Sequence, residues 1–179
     1  MVSNSKLIKH IIVLKFRKLT AYKEGLIFSL LNRSYEGLLR EKLALAEKWQ
    51  QDWKQYDKEI IQFPKTIGAS GFVILYNEII IGFGSYDLRQ RPELGIVGHN
   101  CILPEYGGKG FGKAQILKII SIFKELRVKK AKVTTGEHPF FNPAQRTYIS
   151  CGFKETSRHA SQGLEFRQID YILDLKFEN

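Results

Sequence analysis

The sequence predicts an α/β fold: a single mixed, mostly antiparallel sheet flanked by helices. Three observations predict it. Short β-rich runs recur along the chain. Apolar residues recur at spacings of three and four in the first third, the period of a helix face. An apolar run ends at Pro104 before the stretch Gly107-Gly108-Lys109-Gly110-Phe111-Gly112-Lys113, which opens a further helical pattern. With 179 residues, 44% of them apolar, the chain holds enough hydrophobic material for one packed domain over residues 1–179.

The elements follow in order. His10 to Leu19 reads as a strand, with Thr20 as the N-cap of a helix beginning at Ala21. Leu43 to Ile61 reads as a second helix, because Ala46, Trp49, Trp53, Tyr56 and Ile60 share one face; Pro64 stops it. That aromatic stripe reads as core packing against the sheet rather than as a substrate box. Gly71 to Tyr76 and Ile79 to Tyr86 pair as a hairpin around Asn77-Glu78. Leu94 to Leu103 is a strand, and Gly95 and Gly98 within it predict a bulge that splays it from its neighbour. A helix runs from Ala114 to Leu126, then a strand from Ala131 to Thr135. Asn142 to Ser150 is a short helix closed by Cys151-Gly152. Phe153 to Ser157 and Ile169 to Phe177 are the last strands, the final one alternating Ile169, Tyr171, Leu173, Leu175 and Phe177 on one face. A parallel crossover joins the Leu94 and Ala131 strands.

Composition narrows the function classes. Cys101 and Cys151 are too few for a disulfide framework or a metal cluster and read as buried free thiols. Met1 to Lys9 is polar and basic, and the apolar run after it is too short for a signal peptide or a membrane span. A reducing cytoplasm is the expected setting, with no membrane partner. The net charge of +10 is uneven: residues 1–50 carry ten Lys/Arg against four Asp/Glu, and residues 101–150 nine against three. The second block surrounds the glycine stretch and draws anions towards it. No aromatic–basic RNA motif or helix-turn-helix pattern accompanies it, which argues against nucleic acid.

The glycine stretch builds an anion cradle. Glycines let backbone approach a phosphate, and a helix N-terminus adds unpaired N–H donors and a positive dipole end. Three phosphate ligands compete. A dinucleotide fingerprint fails because Lys113 stands at the last glycine position. A nucleoside-triphosphate loop matches at Gly107, Gly112 and Lys113, but Ala114 replaces the hydroxyl that ligates Mg²⁺.

The third ligand is an acyl-coenzyme A, and two separated segments carry that reading. Ile102 to Gly112 resembles the pyrophosphate loop Q/R-x-x-G-x-G/A of the GNAT superfamily of acyl-CoA-dependent N-acyltransferases. Asn142-Pro143-Ala144 through Tyr148 to Gly152-Phe153 resembles that family's N-P-A-x-x-x-Y-x-x-x-G-F segment. The resemblance spans about Gly71 to Phe153 and rests on element order elsewhere. It implies a GNAT-like fold and transfer of an acetyl group from acetyl-CoA, as co-substrate, to a primary amine of a small molecule or peptide, by direct attack in a ternary complex. It implies donor contacts from Ile102, Leu103, Gly108, Lys109, Gly110, Phe111, Gly112 and Lys113. Asn142 matches a position touching the pantetheine arm, and also suits an N-cap. A strand edge can bind that amide-rich arm like an added strand.

The resemblance further implies Tyr148 as the acid that protonates the leaving thiolate, and a backbone N–H near Asn100 to Ile102 as the donor to the developing oxyanion. Some relatives carry a glutamate base on the preceding strand; this chain has Ile96 there. Candidates for the base are Glu93, His99, Glu137 and His138, with a water relay, held for instance by Asn100, as the alternative. Gly107 replaces the loop's usual Gln or Arg, leaving backbone donors with Lys109 or Lys113 to compensate. A non-catalytic acyl-CoA-binding module of the same fold is the reading from another class. The acceptor amine is left open, as is a homodimer.

Overall fold

The structure, a computed structural model, describes residues 14–177. Residues 10–13 of the expected first strand lie outside the described residues. The strands are β1 (Leu14–Lys18), β2 (Gly71–Tyr76), β3 (Ile79–Asp87), β4 (Leu94–Ile102), β5 (Lys130–Gly136), β6 (Lys154–His159) and β7 (Gln168–Asp174). The helices are α1 (Leu26–Ser34), α2 (Glu36–Glu41), α3 (Leu43–Gln62), α4 (Phe111–Glu125) and α5 (Asn142–Ser150).

The strands form one sheet in the order β1-β2-β3-β4-β5-β7-β6. Every neighbouring pair is antiparallel except β4 and β5, as the crossover through α4 requires. β2 is buried on both faces, which explains why Phe72-Val73-Ile74-Leu75 is a continuous apolar run. Ile74 meets Ile116, Ile119 and Phe123 of α4 on one side. Val73 and Leu75 meet Ile27, Leu31 and Trp53 of α1 and α3 on the other. Trp53 is 4% exposed, so the stripe on α3 is largely core, as its spacing predicts.

Four local expectations change. The first helix begins at Leu26, and Leu19–Ala21 is a single 3-10 turn, so Thr20 caps nothing. The cap comes from α3: the buried carboxylate of Asp57 accepts from the amides of Gly25, Ile27 and Phe28. A break at Tyr35 then separates α1 from α2. α4 begins at Phe111 rather than Ala114, because Gly110 takes a left-handed φ of 84° and turns the chain directly into the helix. β7 ends at Asp174, although Leu175 still bonds Lys129 and stays buried. Cys101 is buried as expected, but Cys151 is only half-buried at the end of α5.

The splay predicted from Gly95 and Gly98 is present. β4 pairs with β5 only at Leu94, Gly95 and Ile96. Beyond them it follows β3 with one extra residue, between the pairs Tyr86–Val97 and Gly84–Asn100. The Ser85 hydroxyl donates to the His99 carbonyl at 2.8 Å and fills the space a Cβ on Gly98 would need, 2.7 Å away. Gly95 serves a different purpose. It lies in the paired stretch and makes room for the Phe123 ring, which a Cβ would meet at 2.8 Å.

Candidate active site

The splay opens a cavity of about 690 Å³ between β4, α4 and α5. At one end lie Gly107, Gly108, Gly110 and Gly112 with Lys113. Here the first amides of α4 have no intrahelical partner. Arg146 of α5 adds a second cation. No Asp or Glu among the described residues lines the cavity. Free amides, a dipole end and two cations with no opposing carboxylate fit a pyrophosphate.

Lys109 sits differently. Its ammonium folds back onto the Glu105 carbonyl at 3.1 Å and over the Tyr106 ring at 5.3 Å. It does not line the cavity. Ile102 lines it, whereas Leu103 is buried in the core beneath α1 and Phe111 packs against Tyr76 and Tyr106. Asn142 is the first residue of α5, with helical dihedrals and an exposed side chain. It caps nothing, because the chain reaches α5 already helical at Phe141; the side-chain cap in this turn is His138, ahead of Pro139.

The centre of the cavity holds Tyr148 and Asn100. The Asn100 amide donates to the Gly98 carbonyl at 3.0 Å and reaches the Tyr148 hydroxyl at 3.4 Å. Tyr148 is 4% exposed, wedged between Phe153 and Tyr171. Burial raises its phenol pKa above the usual 10, against a smaller opposite effect of the Asn100 hydrogen bond. The β5-facing edge of β4 beyond Ile96 is free of strand partners.

The four candidate bases lie outside the cavity lining. Glu93 is paired with Lys129 at 2.7 Å. Glu137 is in an ion pair with Arg158 at 2.5 Å, and Arg167 approaches it at 3.8 Å. His138 accepts from the Phe140 amide through Nδ1 and meets Glu41 through Nε2 at 3.0 Å. His99 points to the other face of β4, beside the Tyr56 ring. Its side chain keeps contact with solvent, yet the protein packed around it lowers its pKa, opposed by the charge of Asp52. Ile96 is half-buried in the short paired stretch with β5.

Sequence reasoning missed the far end of the cavity. There the wall is Ser34 and Tyr35 at the α1–α2 break, Cys101, and Phe140 and Phe141 before α5. The signal available was the aromatic pair directly ahead of Asn142-Pro143. It also missed Gln115, which is buried in α4 and donates its amide to the Phe83 and Cys101 carbonyls of β3 and β4.

A mixed sheet that splays beside a glycine-rich helix N-terminus, with a buried tyrosine at the fork, places the chain in the α/β class. Residues 27–153 match the model of the Acetyltransferase (GNAT) family. The chain belongs to that family and is, by that membership, an acetyltransferase. No curated protein matches the sequence. Solved structures of the same fold include a protein from Desulfovibrio desulfuricans assigned to the GNAT family (TM-score 0.70, 12% identity, 92% of this chain and 99% of that one). A GNAT-family acetyltransferase from Bacillus anthracis aligns with a TM-score of 0.65 and 14% identity, over 90% of this chain and 94% of its own. The microcin C7 self-immunity acetyltransferase MccE, solved with acetyl-CoA and AMP, gives 0.64 and 18% over 91% and 92%. Among the described residues no helix is long and apolar enough to cross a membrane.

Proposed function

We propose that this acetyltransferase moves an acetyl group from acetyl-CoA to a primary amine by direct attack, with donor and acceptor bound together. The observation that carries this reading is the continuity of the cavity, from the amides of α4 past Tyr148 to the α1–α2 break. The donor supplies an activated acetyl thioester. Gly108, Gly110 and Gly112 offer backbone to its pyrophosphate, with Lys113 and Arg146 as counter-charges. The free edge of β4 offers amide groups to the pantetheine arm, and an N–H on that edge stabilises the charge growing on the carbonyl oxygen. A cytoplasmic setting belongs to the same reading, supported by two cysteines that form no disulfide.

The proton balance explains why one residue suffices. A neutral amine forms the new C–N bond as the C–S bond breaks. The products are an amide and a thiol, so the proton leaving nitrogen ends on sulfur. Tyr148 gives its proton to the thiolate and is reprotonated from the nitrogen, directly or through a water held by Asn100. Burial favours the neutral phenol, which suits a group that must be protonated at the start of each turn. Glu137 and His138 then hold the turn between β5 and α5.

The test is calorimetric titration with acetyl-CoA, followed by thiol release across a panel of amines. Binding with turnover of at least one amine is expected. No binding at millimolar acetyl-CoA would sink the reading. Glu137→Gln, His138→Gln and His99→Ala should each keep kcat within about threefold, well short of the ~100-fold loss expected for an essential acid or base.

A further inference from the structure

We propose that the acceptor is a primary amine carried on an aromatic skeleton, seated against the Tyr35–Phe140–Phe141 wall. This rests on the acetyl-CoA reading above and deepens it. Tyr35 is the hub of the wall. Its ring lies 5.3 Å from Phe140 and 6.2 Å from Phe141, and is backed by Trp53 at 5.1 Å and Trp49 at 6.1 Å. The interplanar angles are tilted or edge-on, the arrangement in which rings attract one another and accept another ring in the same manner. Tyr35, Phe140 and Phe141 line the same cavity as the glycine loop and Tyr148.

Charge excludes the main competitors. The cations of the cavity, Lys113 and Arg146, belong to its pyrophosphate end, and no described carboxylate lines it. Carboxylates on the flanking elements are already engaged: Glu41 with His138 at 3.0 Å, Glu165 with Lys42 at 2.8 Å, and Glu137 with Arg158 at 2.5 Å. A diamine, polyamine or aminoglycoside would bury a second ammonium with no anion to offset its desolvation. An aromatic amine carries no such second charge.

The experiment compares kcat/KM, read by released thiol, for 2-phenylethylamine, n-pentylamine and cadaverine. The first pair isolates the ring and the second isolates the extra charge. Phenylethylamine should exceed pentylamine by about tenfold, and pentylamine should exceed cadaverine by at least about tenfold. Phe140→Ala should erase the ring preference while the KM for acetyl-CoA stays within about twofold, as expected when only acceptor binding is lost. Should that variant fold poorly by circular dichroism, Phe140→Leu keeps the bulk and removes the ring. Equal or better use of cadaverine overturns the inference, as does calorimetric binding of acetyl-CoA with no turnover of phenylethylamine. Absence of acetyl-CoA binding would instead remove the donor reading, and the inference with it.

Discussion

The Tyr148 hydroxyl and the Asn100 amide nitrogen lie 3.4 Å apart across the fork where β4 leaves β5. This pair joins the two segments that the sequence keeps almost fifty residues apart. Tyr148→Phe removes the proton and keeps the ring packing against Phe153 and Tyr171. The expected result is a fall in kcat of about 100-fold or more, with acetyl-CoA affinity by calorimetry nearly unchanged. Full activity in the variant would take Tyr148 out of the mechanism.

In the proposed mechanism the same pair sets the alkaline limb of the rate profile. There the Tyr148 phenol acts in its protonated form, and burial raises its pKa above the usual 10. Activity is therefore retained below that raised value and lost as pH climbs through it. Asn100 lowers the pKa by bonding the phenolate, so Asn100→Ala should move the limb further upward. A limb that falls below pH 10, or moves downward in Asn100→Ala while the fold persists, would assign the titrating group elsewhere.

At the donor end, Gly110 and Gly112 predict unequal outcomes. Gly110 has a φ of 84°, so any side chain there strains the entry into α4. Gly110→Asp adds a negative charge beside the amides proposed to face the phosphates. It should weaken acetyl-CoA binding at least about tenfold. Gly112→Ala places a methyl only 3.8 Å from the Thr147 hydroxyl, an ordinary contact. It should bind within a few-fold of the parent, and calorimetry of the two variants side by side separates backbone geometry from bulk.

Local chemistry made the fork legible, and long-range packing hid the aromatic wall of the cavity. Gly98 announced the bulge because a glycine inside a strand marks either a bulge or a close approach, and β4 has one of each, at Gly98 and Gly95. The loop and Tyr148 were visible because each lies in a contiguous motif. Tyr35 carries no such mark. Its place in the wall depends on the break between α1 and α2 and on rings from α3 and from the turn before α5, three separate stretches of chain. Position alone made Glu137 and His138 candidate bases, and it gave no hint of their ion pairs. Arg158 lies on β6 and Glu41 on α2, so their partners had no local signature.

Asp57 illustrates the same limit and yields a stability prediction. Thr20 has the residue type of a cap, but the amides that start α1 are served by a carboxylate from α3. Asp57→Ala leaves those donors without a partner, the Ile27 amide in a buried position. A loss of about 2 kcal/mol is expected by urea denaturation, the upper end of cap deletions because three amides are involved. Thr20→Ala should change stability by well under 1 kcal/mol, since it caps no helix.

Asp170 governs the half of the sheet beyond the fork. β5, β7 and β6 connect to β4 through only three pairs, so their mutual links matter. Asp170 on β7 accepts from Thr134 at 2.6 Å and Lys132 at 2.9 Å, both on β5, and from Ser157 on β6 at 3.2 Å. Burial alone would raise its pKa, but the bonds from Thr134 and Lys132, then Ser157, outweigh it and hold the carboxyl at about 2. The folded value is below the unfolded one, so the stabilisation is present above the ordinary carboxylate range and disappears as pH falls towards 2. It amounts to on the order of 2 kcal/mol at most. Asp170→Asn should therefore be less stable than the parent at pH 7, with the gap closing as the pH is lowered from 5 to 3. A gap that stays constant over that range would mean the carboxylate charge contributes nothing and the loss at neutral pH is one of packing.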